Sequence, residues 1–196
     1  MTTTTTTSQI RQNFHDDSIN GINKLINMYW HGNYSCMSLW QHFTRDDVAL
    51  SNIACYFEKV GKIKCWKAKQ LMCYMNTRGG RVTMNDIQAP KLDWSSALEA
   101  FESTLEFEKN VNKELLTLHS IALKNNDYQL QNFLETEFLC DMVKYIEELG
   151  WIITNLRRVG KGIGEFVFDE QYFSNPEKIH TFTLLTEKMK NLKLND

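Results

Sequence analysis

Residues 77–90 read TRGGRVTMNDIQAP, and this stretch decides how the rest of the chain is arranged. Gly79 and Gly80 tolerate positive φ and so end a helix, while Pro90 cannot sit inside one. The roughly fifteen residues after the glycines show only scraps of strand-like alternation. That is long for a connection in a helical domain and marks a crossover. The chain's one other proline, Pro176, also lies outside the long periodic segments, which favours long helices over a sheet protein.

Working outward, a second helix is predicted upstream of the crossover from about Val48 to Thr77. The polar link Thr44-Arg45-Asp46-Asp47 separates it from a first helix from about His15 to Phe43, opened by Asp16, Asp17 and Ser18. Ile19, Ile22, Ile26 and Tyr29 trace the buried stripe of that first helix. Downstream, a third helix fits about Ser95 to Asn125 and a fourth about Asp127 to Gly160, joined almost without a loop, and a short fifth fits Ile163 to Phe173. Two helical hairpins joined by one long connection make an all-α four-helix bundle with a crossover between its second and third helices. Cytokine bundles also use long crossovers, so the layout alone does not choose a family.

Composition narrows the classes. The 196 residues are 42% hydrophobic and 23% charged with a net charge of −2, which suits one soluble domain and gives no nucleic-acid footprint. No run approaches the ~18 apolar residues of a membrane span. The start, MTTTTTTSQIRQNF, has neither a basic nor an apolar leader region, so a cytoplasmic protein with a flexible tail over 1–14 is expected. Cys36, Cys55, Cys65, Cys73 and Cys140 show no CxxC spacing and read as reduced, mostly buried thiols.

Ordered segments then carry a resemblance. They are RQNFHDDSINGIN (11–23), RDDVAL (45–50), TRGGRV (77–82), DIQAP (86–90), LEFEKNVNKELLTLH (105–119), NFLETEFL (132–139), ELGWIITNLRR (148–158) and EFVFDE (165–170). Over these the chain resembles the eukaryotic ferritins, from about Ser8 to Phe173. The resemblance implies a four-helix subunit with a short fifth helix, assembling into a hollow shell of 24 that stores ferric iron. In the catalytic heavy type it also implies a di-iron site inside each bundle.

Such a site needs carboxylates from several helices and a Glu-x-x-His pair on one face. None of His15, His31, His42 and His119 in the bundle segments follows a glutamate by three. Carried over position by position, the family's ligand places fall on Tyr29, Ile63, Lys64, Lys67 and Met142. The tyrosine near the site falls on Cys36, and one ligand, Glu108, remains. Isoleucine and methionine offer iron little, and two lysines place positive charge where cations would sit. The resemblance therefore points to a lost ferroxidase centre and a chain that is not an enzyme. Glu108 falls on the apolar stripe of the third helix, so a buried ion pair with Lys64, joined by Lys67, is expected.

Other positions follow from the same resemblance. The stretch matching the inner-surface nucleation cluster, residues 58–67, holds one acid and four lysines. Gly61 within it costs about 1 kcal/mol relative to alanine and predicts a soft spot in the helix. The three-fold channel positions are Asn132 and Glu135, with His119 nearby, and the four-fold positions are Ile163, Val167 and Gln171. Residues 15–173 form the ferritin-like domain. Residues 174–196 depart from the family and predict a sixth, amphipathic helix through Ile179, Phe182, Leu185, Met189 and Leu192.

The expected function is an iron-storage subunit of a homo-oligomeric cage, or of one shared with catalytic ferritin subunits, with iron as cargo and no nucleic-acid or membrane partner. The alternatives are a structural or regulatory cage subunit that no longer handles iron, or a ferroxidase relocated among Glu99, Glu102, Glu106 and Glu137.

Overall fold

The computed structural model describes residues 8–175 and Ile179. The expected sixth helix and the threonine run lie outside the described residues. Helix α1 spans Asp16–Thr44, α2 Ser51–Thr77 and α3 Ala97–Lys124. Helix α4 begins as Tyr128–Leu134, passes through a π-helical turn at Glu135–Leu139 and continues as Cys140–Val159. Helix α5 is Ile163–Phe168 followed by a second π-helical turn, Asp169–Phe173. Among the described residues there is no strand, and no helix is long and apolar enough to cross a membrane.

The ends of the helices follow from local chemistry. Asp16 and Asp17 place acid in the first turn of α1, where the helix dipole favours it. α2 starts three residues later than the apolar pattern suggested. Ala49 takes a positive φ of 52°, and Leu50 N–H donates to the Phe43 carbonyl at 3.1 Å, closing a tight turn from α1. Gly79, at φ 73°, ends α2, and a side chain there would press on Ser8 Oγ at 2.7 Å. Ser96 caps α3 by accepting from Glu99 N–H at 3.2 Å, while the Glu99 carboxylate accepts from Ser95 N–H at 2.8 Å.

The crossover runs along α1 without regular structure, so the strand-like scraps do not become strands. Its backbone polar groups are met by side chains of one α1 stripe. Asn23 bonds both the Arg81 carbonyl at 3.1 Å and Thr83 N–H at 2.9 Å. Asn27 donates to the Asp86 carbonyl at 3.2 Å, and Ser38 to the Lys91 carbonyl at 2.7 Å. At the other end of the bundle Asp127, fully buried, receives the Arg78 guanidinium at 3.0 Å on each oxygen and caps α4 through Leu130 N–H. Arg78 also donates to the Asn13 carbonyl at 3.1 Å, tying the N-terminal segment to the α3–α4 turn.

α1 and α2 pack as one hairpin and α3 and α4 as the other, with α1 against α3. Gly61 is buried where α1 and α2 approach, and a Cβ there would lie 3.2 Å from Cys36 Cβ. Helix α2 runs through it unbroken, so the expected soft spot is instead a point of close contact. The apolar interior forms two clusters, one around Phe43, Phe57, Phe101 and Ile152 and one around Ile26, Leu71, Leu115 and Phe138. Charged and phenolic side chains lie between them.

Candidate functional site at the bundle centre

This middle layer surrounds a cavity of about 50 Å³, room for no more than a few water molecules. Tyr29 reaches it from α1; Tyr56, Ile63, Lys64 and Lys67 from α2; Glu108 from α3; and Asp141, Met142, Tyr145 and Glu148 from α4. The structure thus brings Tyr29, Ile63, Lys64, Lys67, Glu108 and Met142 around one space. Each is delivered by the stripe of a long helix that also feeds an apolar cluster.

Lys64 Nζ donates to the Glu108 carboxylate, with side chains 5% and 1% exposed. The ammonium also lies over the Phe107 ring at 5.2 Å and the Tyr145 ring at 5.9 Å, each ring's negative face adding attraction. Gly32 makes room for this lysine, since a Cβ there would meet Lys64 Cδ at 2.8 Å. Lys67 does not join the pair. It donates to the Glu137 carbonyl and to Asp141 Oδ2, the latter at 3.2 Å, over the Phe138 ring at 4.7 Å. The Glu137 carbonyl that accepts the first of these bonds lies within the π-helical turn.

The uncharged groups of the layer keep their protons. Burial first, then the neighbouring Glu108 and Asp141, raises the Tyr29 phenol well above its ordinary value. Tyr56 and Tyr145 are raised mainly by burial as well. Burial pushes the Cys36 thiol up to about 12, with Lys64 opposing the shift. The same Lys64 and Glu108 also line a wider groove of about 280 Å³ beneath the crossover, with His31, Ser35, Trp94 and Phe107.

Asp141, Tyr145 and Glu148 were not singled out from the sequence. They lie with Phe138 at spacings of three and four on α4, a buried-face signal that treating each family ligand alone passes over. The centre therefore holds three carboxylates and two lysines. Among the described residues no three His, Cys, Asp or Glu side chains converge on one point. One Glu-x-x-His spacing does occur in the chain, Glu177 to His180, and it lies outside the described residues.

The remaining positions are dispersed. Glu135 Oε1 and His119 Nε2 are 2.6 Å apart, and Asn132 is exposed one turn before Glu135. Ile163, Val167 and Gln171 sit exposed on α5. Glu58, the one acid of the 58–67 stretch, is bonded by Lys62 at 2.6 Å. The acids weighed as a relocated site are not brought together: Glu99 is held by Lys91, Glu102 by Arg157 at 2.6 Å and Glu137 by Gln70 at 3.4 Å. Cys36 is the buried thiol, whereas Cys55, Cys73 and Cys140 are exposed on the subunit and Cys65 is half-buried, because the last four fall on outward faces of α2 and α4.

Comparison with known proteins agrees with this architecture. The ferritin-like domain family model matches residues 19–159. Soma ferritin of Lymnaea stagnalis is 45% identical over 169 residues, covering 86% of this chain and 97% of that protein. Ferritin heavy chain of Echinococcus granulosus is 44% identical over 172 residues, covering 87% and 99%. The heavy-chain likeness overturns the expectation that the chain is not an enzyme, which rested on the ligand positions alone. Heavy type is the catalytic type, and the likeness extends over nearly the whole of that relative.

Proposed function

Because the chain belongs to the ferritin family, we propose that it is a subunit of a hollow 24-membered cage that stores ferric iron in the cytoplasm, built from copies of itself or shared with other ferritin subunits. The observation that carries this reading is the likeness to ferritins at 44–45% identity, which covers 86–87% of this chain and nearly all of each relative. Iron is cargo here, and no step of its oxidation is assigned to the bundle centre. In this reading residues 15–173 are the cage-forming unit together with Phe14, which is buried in the cluster around Ile26 and so is not part of a flexible tail.

The bundle centre carries much of its charge in pairs. Glu108, retained from the family's ligand set, is paired with Lys64, and Asp141 with Lys67, so two of the three carboxylates in the layer between the apolar clusters meet a lysine there. In the same reading Asn132 and Glu135 line the three-fold passage, and Ile163, Val167 and Gln171 a mostly apolar four-fold junction; the contact of His119 with Glu135 supports the first assignment.

Adding ferrous ion under oxygen to the purified chain tests the storage reading, followed by gel filtration with iron and protein measured in each fraction. Iron eluting with the assembled protein is the expected result. A cage that elutes without iron would favour the second reading, a structural cage subunit. What favours that reading is the pairing of Glu58 with Lys62 in the stretch matching the nucleation cluster.

A further inference from the structure

Helix α2 begins without a cap of its own, since Leu50 stands at the N-cap and makes no side-chain bond there. Its first amides are met from the far end of the chain. Asp169, 1% exposed, accepts from Ile53 N–H at 2.6 Å, from Asn52 N–H at 3.3 Å and from the Asn52 side-chain amide at 3.0 Å. Four residues earlier on α5, Glu165 accepts from Ala97 N–H, the first amide of α3, at 2.9 Å. Two carboxylates on one face of α5 thus meet the positive ends of two long helices, where unpaired N–H groups and the helix dipole favour negative charge.

α5 has little else to hold it in its first turns. Even with its π-helical turn it is only 11 residues, too short for a stable helix alone in water. It is entered through Gly160 and Gly162, at φ 70° and 78°, and none of residues 163–168 is buried. Its buried apolar anchor comes at the end, where Phe173 packs on Tyr56 at 5.3 Å and on Phe101 at 5.5 Å between ring centroids, with Phe168 and Tyr172 partly buried beside it. Meanwhile Ile163 is 82% exposed.

We infer that Glu165 and Asp169 form a two-point latch that fixes α5 on the bundle, and that this latch sets the position of Ile163, Val167 and Gln171. The latch itself is a property of the subunit. Its consequence rests on the cage reading: where α5 lines a passage through the shell, opening the latch loosens that passage to small ions. Glu165 and Asp169 are positioning residues, acting through the helix they hold.

Amide hydrogen exchange of the assembled protein, wild type against Asp169→Ala and Glu165→Ala, tests the latch. Asp169→Ala should speed exchange at Asn52 and Ile53 at least tenfold and leave Ala97 near wild type. Glu165→Ala should do the reverse. Asp169→Asn, which keeps one acceptor oxygen but no charge, should fall between and serves if the alanine variant does not fold. In iron-loaded cages either alanine variant should release ferrous iron to a chelator several-fold faster after reduction. Unchanged exchange at all three amides would overturn the latch. Faster exchange with unchanged iron release would overturn its role at the passage. A chain that forms no cage in any variant would count against the storage reading, with the exchange result standing apart.

Discussion

A lysine and a glutamate buried together cost more to separate than to replace. Lys64 and Glu108 lie in a low-dielectric layer, so removing one leaves a buried charge without its partner, at about 3–5 kcal/mol. Lys64→Ala should lower stability by that amount in chemical denaturation. The apolar double variant Lys64→Met with Glu108→Leu should recover most of it, since the pair's own desolvation cost also disappears. An unaltered midpoint for Lys64→Ala would show that the pair holds nothing. Cys36 supplies a second residue-scale prediction. Buried and with its thiol pushed up to about 12, it should resist iodoacetamide at neutral pH until the protein unfolds, and modification of Cys36 in the native protein would contradict the packing described. The places of Lys64, Lys67 and Glu108 were legible because each sits at a helical spacing matched by the family pattern. Asp141 and Glu148 were passed over because the family pattern names neither, although their spacing from Phe138 puts them on the inward face of α4.

The long helices could be read from period and punctuation, and their starts could not always. The apolar pattern resumes at Val48, but the positive φ at Ala49 delays α2 to Ser51, a backbone requirement that an alanine does not announce. The π-helical turn at Glu135–Leu139 also leaves no sequence mark of its own. Caps built from local residues are legible, and Glu99 gives the clearest test of one. Lys91 and the Ser95 amide hold its carboxyl at about 2, below the ordinary 4.5. A group whose folded value is depressed stabilises the fold above its unfolded value, and that contribution fades as pH falls toward 2. An NMR titration should place the Glu99 midpoint near 2 and show the Ser95 amide shifting with it. Lys91→Ala should move the midpoint upward, whereas a midpoint at the ordinary value in the wild type would contradict the cap.

At the scale of the molecule, two helical hairpins and a crossover were enough to suggest the bundle, and ordered family segments were needed to choose among bundles. The Lys67–Asp141 pair at the centre was beyond the sequence, because it depends on α2 and α4 meeting at one level. The central claim is that this chain builds a ferritin cage. The most direct measurement is the native mass of the purified protein, by mass spectrometry under non-denaturing conditions. A homo-oligomer predicts one dominant assembly at twenty-four times the 23.0 kDa chain mass, and co-expression with a ferritin heavy chain predicts a mixed shell of the same subunit number. A chain that stays monomeric or dimeric both alone and beside that partner would contradict the account.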